Sequence, residues 1–261
     1  MSRQFAIITL SVVPVRAEPA DSAEQVTQIL FGESVEVLEK LPKWWKIQCL
    51  WDEYIGWIDP KQCKLIEADE LLNAHEINID RVSMLSSGAG LQAISIGSNL
   101  PAFKENNLAI NQQQYSFTGQ TNSAKYFNQS NIISLAKLFL LTPYQWGGRS
   151  IFGIDCSGFT QVVYKIIGCA IPRDAKDQAL HGETINFVDE LTAGDLVFFD
   201  NEDGKIIHVG IALGEGQIIH ASGQVRIDQL DHQGIFNLET QAYTHKLRLM
   251  KRLFQKASRL F

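Results

Sequence analysis

DCSGFTQVVYKII, residues 155–167, predicts an amphipathic helix that begins at Cys156. Its apolar residues recur at positions i, i+3, i+4, i+7 and i+8 of one helical face, and Gly168 supplies a C-terminal stop. A thiol at a helix N-terminus faces unpaired backbone N–H groups and the positive end of the helix dipole, which favours the thiolate. The small residues Ser157 and Gly158 leave the sulfur accessible. The alternative is a buried structural cysteine.

The sequence around this helix predicts an α+β domain over residues 128–261. Upstream, Asn131 is a candidate N-cap for an apolar helix over Ile132–Leu141 that stops before Pro143. Downstream the pattern changes to strands at 196–199, 206–213, 217–220, 225–227 and 247–253. Helices followed by a run of antiparallel strands are typical of α+β domains. The basic, amphipathic chain end, residues 249–261, is predicted to be a final strand and a packed tail.

Two strand histidines are candidate partners of the thiol. His208 heads one predicted strand, and His220 ends the next, beyond a glycine turn at 214–216. Such a hairpin can place both rings on one face, where His208 would serve as base and His220 would orient it. An isolated strand histidine is more often a packing or surface residue, which is the alternative. Histidines 75, 181, 232 and 245 show no metal-ligand spacing and are interpreted as surface or turn residues, so no metal site is expected.

The N-terminal half reads as short strands separated by turns. Residues 1–67 contain strand patterns at 5–13, 27–31, 35–38, 44–48 and 54–58, which predict a small barrel. The pieces VRAEP, LFGESVEVLE, WWKI and YIGWI resemble a bacterial SH3-like domain in their order. Residues 68–127, with a short helix around Asp69–His75, are predicted to form a second, degenerate barrel. The polar stretch Gly119–Ser130 is the predicted linker.

Charge and composition narrow the function classes. The chain has 261 residues and a net charge of −6, which argues against nucleic-acid or acidic-membrane partners. No segment approaches a membrane span. Four cysteines without CxxC spacing are expected to be free thiols, a Cys49–Cys63 disulfide being the alternative. The apolar run Phe5–Val13 is interpreted as a strand rather than a signal peptide, which predicts a cytoplasmic protein; a secreted or periplasmic location is the alternative.

Several motifs resemble those of the NlpC/p60 family of bacterial cell-wall cysteine peptidases. They agree with the family in order and spacing, and they are Tyr144-Gln-Trp-Gly-Gly148, Asp155-Cys-Ser-Gly-Phe159, Leu191-Thr-Ala-Gly-Asp-Leu-Val-Phe-Phe199, His208-Val-Gly-Ile211 and Ile219-His-Ala-Ser222. The resemblance covers about half of the chain, from residue 131 onward. It implies a papain-like domain, with helices packed on an antiparallel sheet, behind one or two SH3-like barrels.

The resemblance also implies catalytic roles. Cys156 is the nucleophile, His208 the base and His220 the third polar residue. Tyr144 is similar to a family tyrosine near the oxyanion, and the backbone N–H of Cys156 is the other expected donor. Trp146 is a candidate substrate contact, with aromatic packing as the alternative. No cofactor is implied.

With its N-terminal modules, the chain resembles the γ-D-glutamyl-diamino-acid endopeptidases of murein recycling. These act on murein peptides with a free N-terminal L-alanine, the L-Ala-γ-D-Glu-diamino acid partner expected here, and the first barrel closes one end of the groove. The residues that match the ammonium-binding positions are Asp155, Ser157, Asp174, Tyr54 and Glu33. Ala175 stands where the family often has serine, which puts one polar contact in doubt.

Alternatives to these roles remain open. Glu33 could be a solvated turn carboxylate, and Tyr54 a barrel-packing side chain. An amidase or acyltransferase of the same fold, and a non-catalytic protein that binds cell-wall peptide, are the competing functions. Binding without catalysis would predict a missing member of the triad, and none is missing.

Overall fold

The computed structural model describes residues 3–68, 71, 76–123 and 131–253. The chain divides into two compact units. The N-terminal unit contains residues 1–126 and 145–153, and the C-terminal unit contains residues 127–144 and 154–261. The predicted helix around Asp69–His75 lies outside the described residues except for Leu71. The domain boundaries at residues 67 and 127 stay predictions.

The first part of the N-terminal unit is an antiparallel sheet of seven strands in the order β3-β2-β6-β5-β4-β1-β7. Its strands are β1 Gln4–Ile8, β2 Val12–Arg16, β3 Gln25–Leu30, β4 Ser34–Lys40, β5 Trp45–Cys49, β6 Ile55–Ile58 and β7 Cys63–Ile66. The predicted strand Phe5–Val13 is in fact two strands, because β1 pairs with β4 and β7 whereas β2 pairs with β3 and β6. Alternate residues of β2 are buried, since Val13 and Val15 face the interior.

Two smaller sheets follow in the same unit. Their strands are β8 Glu76–Asn78, β9 Val82–Ser87, β10 Gly90–Ser95, β11 Asn99–Leu100, β12 Asn107–Ile110, β13 Gln113–Thr118 and β14 Thr121–Ser123. They form the orders β10-β9-β13-β12 and β11-β8-β14. Ile7 and Phe31 of the first part share an apolar cluster with Leu85, Ile94 and Phe117 of the second. The predicted linker Gly119–Ser130 contains β14, and residues 124–130 lie outside the described residues.

The segment 145–153 belongs to the N-terminal unit, although both of its ends continue into the C-terminal unit. It contains β15 Arg149–Ser150, which pairs with β16 Gly153–Ile154. The backbone N–H of Arg149 donates to Oε1 of Gln28 at 2.8 Å, and that of Ile151 donates to Oγ of Ser95 at 3.2 Å. These hydrogen bonds fix the segment on the N-terminal unit by its backbone.

The C-terminal unit combines short helices with a second seven-stranded antiparallel sheet. Its helices are α1 Ile132–Lys137, α2 Cys156–Ile166 and α3 Ala175–Gln178, and its strands are β17 Glu183–Ile185, β18 Leu196–Asp200, β19 Ile206–Gly214, β20 Gln217–Ser222, β21 Gln224–Leu230, β22 Gly234–Asn237 and β23 Ala242–Arg252. The sheet order is β17-β23-β18-β19-β20-β21-β22. Since β23 pairs with β18 over residues 246–251 and with β22 over residues 242–246, strands β18 to β23 form a closed ring.

This ring changes the predicted picture of helices packed on a sheet. Helix α2 does pack against β19 and β20, but α1 covers only Ile132–Lys137 rather than Ile132–Leu141. Residues 138–141 continue as turns, and Leu141 has a φ of 66°, which no α-helix accommodates. The C-terminal unit is therefore mostly sheet.

Within the described residues, no helix is both long enough and apolar enough to cross a bilayer.

Candidate active site

Helix α2 presents Cys156 as its first residue. Asp155 is the N-cap, with extended backbone (φ −95°, ψ 175°), and its Oδ1 accepts a hydrogen bond from the backbone N–H of Gly158 at 2.7 Å. This capping bond satisfies one of the free N–H groups of the first turn and fixes where the helix begins. The sulfur is consequently held at the N-terminal end of the helix, as the sequence predicts.

The Cys156 sulfur lies against strand β19. The backbone N–H groups of Val209 and Ser157 are close enough to the sulfur to oppose the rise in the pKa of the thiol. Val209 directly follows His208, which is 5% exposed, and Cys156 is 7% exposed. The structure thus brings the thiol to the strand that carries the predicted base, in a site with little access for water.

The two predicted histidines lie side by side and continue into a chain of hydrogen bonds. Nε2 of His208 is 2.8 Å from Nδ1 of His220, and Nε2 of His220 is 3.0 Å from Oδ2 of Asp228. Arg226 holds this carboxylate through two bonds, Nε to Oδ2 at 2.8 Å and Nη2 to Oδ1 at 3.0 Å. The β20–β21 hairpin creates the arrangement, because its register pairs His220 with Arg226.

His245 is a third histidine of this cluster, which sequence analysis interpreted as a surface or turn residue. It lies on β23, and its ring stacks on that of His208 with a centroid distance of 4.2 Å and an interplanar angle of 25°. Burial and the neighbouring His220 lower the pKa of His245 to about 4. At neutral pH it is therefore an uncharged ring covering one face of His208.

Electrostatics in the site favour uncharged groups at rest. Burial and the negative charge of Asp155 raise the pKa of the Cys156 thiol to about 12, although the Val209 N–H and Arg173 oppose them. Burial, together with His220 and His245, lowers the pKa of His208 well below its usual value. The thiolate predicted from the helix N-terminus is therefore corrected: desolvation outweighs the helix, and the resting pair is a thiol and a neutral imidazole.

Tyr144 lies beside the nucleophile and is 38% exposed. Its backbone N–H donates to Gly223 O at 2.9 Å, which ties the residue to the turn after β20. Burial and the neighbouring Cys156 and Asp155 raise the pKa of the phenol to about 12. At neutral pH the hydroxyl keeps its proton and can donate it to a hydrogen bond.

Asp155 and Ser157, predicted to bind an ammonium group, lie in a buried cluster with Arg173. The guanidinium donates to both carboxylate oxygens of Asp155, at 3.0 and 2.6 Å, and to Oγ of Ser157 at 2.8 Å. Asp174 is close enough to Asp155 for the two charges to interact, and burial raises the pKa of Asp174. The role of Arg173 was not predicted from the sequence, although this residue directly precedes Asp174 in the motif.

The other predicted site residues, Glu33, Tyr54 and Trp146, belong to the N-terminal unit. Glu33 is buried, and its carboxylate forms two bonds with Arg149, at 2.9 and 3.0 Å. Tyr54 packs against the core of the first sheet. The indole N–H of Trp146 donates to Oε1 of Glu24 at 2.6 Å, while its ring is 63% exposed. Their roles in substrate binding stay predictions, and Glu33 is also one half of an ion pair that sequence analysis did not foresee.

The clustered histidines do not form a metal centre. Across the described ranges, no group of three or more histidine, cysteine, aspartate or glutamate side chains has a geometry that could hold a metal ion. All four cysteines are free thiols.

Two protein families match parts of this chain. The NlpC/P60 family matches residues 141–244, and the bacterial dipeptidyl-peptidase SH3 domain matches residues 15–62. A gamma-D-glutamyl-L-lysine dipeptidyl-peptidase of Bacillus subtilis is 34% identical over 214 residues, which cover 75% of this chain and 71% of the relative. Dipeptidyl-peptidase 6 of Lysinibacillus sphaericus is 28% identical over 258 residues, covering 87% of this chain and 92% of the relative.

A solved structure has the same fold. The crystal structure of an NlpC/P60 family protein from Bacillus cereus superimposes with a TM-score of 0.80 at 24% sequence identity, covering 95% of this chain and 99% of that one.

Proposed function

Because the chain belongs to the NlpC/P60 family of cysteine peptidases and carries an SH3-like N-terminal domain, we propose that it cleaves murein peptides between γ-D-glutamate and the diamino acid. In this proposal the substrate carries a free N-terminal L-alanine, and the released product is the dipeptide L-Ala-γ-D-Glu. The position of the Cys156 sulfur, against the backbone of the residue that follows His208, is the observation that carries the proposal.

The first half of the reaction is acyl transfer to sulfur. His208 takes the proton of the Cys156 thiol as the sulfur attacks the γ-glutamyl carbonyl carbon, and an oxyanion forms. Proton transfer creates an imidazolium beside the developing negative charge, so each charge compensates part of the other's desolvation. The Tyr144 hydroxyl and the Cys156 backbone N–H donate to the oxyanion. The imidazolium then protonates the leaving amine, the C–N bond breaks, and a thioester remains.

The second half is hydrolysis of the thioester. The released diamino acid makes room for water, and His208, again neutral, takes a proton from it as the oxygen attacks the thioester carbon. Collapse of the second oxyanion breaks the C–S bond, and the imidazolium returns a proton to the sulfur. The dipeptide leaves as a carboxylic acid, and the site returns to its neutral resting state.

Recognition of the alanine ammonium is proposed to rest on buried acidic groups near the nucleophile. Asp155 and Asp174 supply the negative charge, while Arg173 holds Asp155 in place. A charge-assisted hydrogen bond between a carboxylate and an ammonium is stronger than one between neutral groups, and in a buried site it replaces part of the hydration that both ions lose. A free alanine N-terminus exists only after the peptide has left the glycan, so we further propose a role in cytoplasmic recycling of murein peptides.

A blocked N-terminus is expected to abolish most of this recognition. We expect kcat/KM for N-acetyl-L-Ala-γ-D-Glu-L-Lys to fall about 100-fold below that for the free tripeptide, because a charged hydrogen bond contributes on the order of 2–3 kcal/mol. The measurement is product formation by mass spectrometry, with the diaminopimelate tripeptide run in parallel. Release of intact L-Ala-γ-D-Glu identifies the scissile bond and separates this peptidase from an amidase acting elsewhere on the stem.

The matched control is the free tripeptide with a C-terminal amide, which changes the opposite end of the molecule. Equal cleavage of the acetylated and free peptides would eliminate the ammonium site while leaving the peptidase. Cleavage of neither peptide would refute the proposed substrate class.

Removing the Tyr144 hydroxyl is expected to impair the chemical step. Tyr144→Phe should lower kcat about 100-fold, the usual cost of losing one oxyanion donor, with KM nearly unchanged. The ring keeps its packing, so the thermal unfolding temperature should stay within about 2 °C. Steady-state kinetics and a melting curve test this; a change confined to KM would mean that Tyr144 contacts the substrate away from the reacting carbonyl.

A further inference from the structure

Asp228 was not predicted as part of the catalytic triad of Cys156, His208 and His220, yet it ends the series of hydrogen bonds that begins at His208. It is 5% exposed, and it is held at both oxygens by Arg226, two residues earlier on β21. A carboxylate in this position affects the histidine tautomers, because the hydrogen-bond partner of one ring nitrogen determines which of the two nitrogens carries the proton.

The charge state of Asp228 is fixed by its neighbours. Burial alone would raise its pKa, but hydrogen bonds from His220 and Arg226 outweigh burial, and the pKa of the carboxyl is lowered. At neutral pH Asp228 is therefore a carboxylate, which accepts hydrogen bonds and cannot donate them.

An acceptor at this end sets the direction of every bond in the chain. Nε2 of His220 carries the proton that it donates across the 3.0 Å to Asp228, so in the tautomer with a single N–H the Nδ1 of this ring is an acceptor. The 2.8 Å contact then requires Nε2 of His208 to be the donor. Because a neutral imidazole has one N–H, Nδ1 of His208 is left with its lone pair.

The neighbouring His245 does not compete for these nitrogens. His245 faces the plane of the His208 ring, whereas hydrogen bonds to ring nitrogens lie in that plane. The ring of His220 is 5.7 Å from that of His245 and nearly perpendicular to it. The proposed function makes the Cys156 thiol, whose sulfur lies beside the backbone of Val209, the proton source for Nδ1 of His208.

We infer that Asp228 is a positioning residue, which holds His220 and His208 in the tautomers that leave Nδ1 of His208 free to take the proton of Cys156. The inference rests on the proposed function for its kinetic consequence, but the tautomers themselves are properties of the resting protein. If the direction of these hydrogen bonds were reversed, the proton of His208 would lie on Nδ1, and the thiol would have no base.

Asp228→Asn is the variant that can reverse the direction of these hydrogen bonds, since the asparagine amide can donate to Nε2 of His220. We expect kcat to fall about 100-fold with KM changed less than threefold, a smaller loss than when the carboxylate contacts the base directly. The matched control is Glu239→Gln. Glu239 accepts from Nη1 of the same Arg226, at 3.1 Å, and lies outside the series of hydrogen bonds from His208 to Asp228, so we expect full activity.

Nitrogen-15 NMR of the histidine rings in the full chain identifies which nitrogen of each ring is protonated, without substrate. In the wild type we expect His208 and His220 to be protonated at Nε2, and in Asp228→Asn we expect His208 to switch to Nδ1. His208 protonated at Nδ1 in the wild type would overturn the inference even if the variant failed to fold. Unchanged kcat in Asp228→Asn, or an equal loss in Glu239→Gln, would also overturn it. If the wild type does not hydrolyse the tripeptide, the proposed function is wrong. The NMR spectra then still test the tautomer assignment, because they need no substrate.

Discussion

Cys156→Ala is expected to lower kcat by at least about 10⁴-fold, because without the sulfur no acyl-enzyme can form and the reaction must use water directly. The variant should fold normally, since alanine keeps the helix start that Asp155 caps. It should also retain substrate affinity, which isothermal titration with the uncleaved tripeptide would measure. Steady-state assays of product release provide the kinetic value.

Cys169→Ala is the matched control. Cys169 lies just after α2 in the same unit, is also a free thiol and has a pKa raised by burial to about 11. It lies at the far end of the helix from Cys156, so we expect its removal to leave kcat within about twofold. Equal losses in the two variants would indicate a general effect of cysteine removal on the fold and would contradict the assignment of Cys156.

Glu33→Gln is expected to lower the free energy of unfolding by about 3–5 kcal/mol, because it leaves the buried guanidinium of Arg149 without its counter-charge. Burial lowers the pKa of Arg149, while Glu33 and Asp52 raise it and outweigh burial. Because an arginine guanidinium stays protonated in proteins, Arg149 is expected to keep its charge when Glu33 is lost. Denaturant unfolding of the full chain, followed by tryptophan fluorescence, measures the change.

The double variant Glu33→Leu/Arg149→Met separates the two roles of Glu33. Removing both charges eliminates the unpaired group, so most of the stability should return. If Glu33 also binds the substrate's ammonium, the double variant will be stable but will have a raised KM for the free tripeptide and an unchanged one for the acetylated peptide. A Glu33→Gln protein as stable as the wild type would show that Arg149 does not depend on this carboxylate.

The local pattern of the sequence was sufficient to predict the helix that carries Cys156. Its apolar period, the Asp155 cap and the Gly168 stop act within one helix, and the structure begins α2 at Cys156 and ends it at Ile166. The strands bearing His208 and His220 were predicted for the same reason, since alternation and a glycine turn are local signals. The single strand Phe5–Val13 was wrong because the break between β1 and β2 is set by which strands they pair with, and that is not local.

The partners of the site residues were not predictable in the same way. Chain folding brings together residues that are far apart in the sequence or whose spacing follows no known motif. Examples are Arg149 with Glu33, Asp228 with His220, and His245 with His208. The sequence contains only a weak indication of the role of Asp228. This residue lies on the strand that follows His220, two residues after Arg226, so both side chains are on the same face of that strand. The charge state of Cys156 was mispredicted for a related reason: helix position is visible in the sequence, but the burial that opposes it comes from the packing of α2 on β19 and β20.

The most direct test of the account is to identify the residue that carries the acyl group during turnover. Wild-type protein mixed with the free tripeptide is quenched in acid within milliseconds, digested and analysed by mass spectrometry. The account predicts L-Ala-γ-D-Glu bound as a thioester to the peptide that contains Cys156, and no adduct in Cys156→Ala. The dipeptide bound to any other residue, or the same adduct in Cys156→Ala, would contradict it.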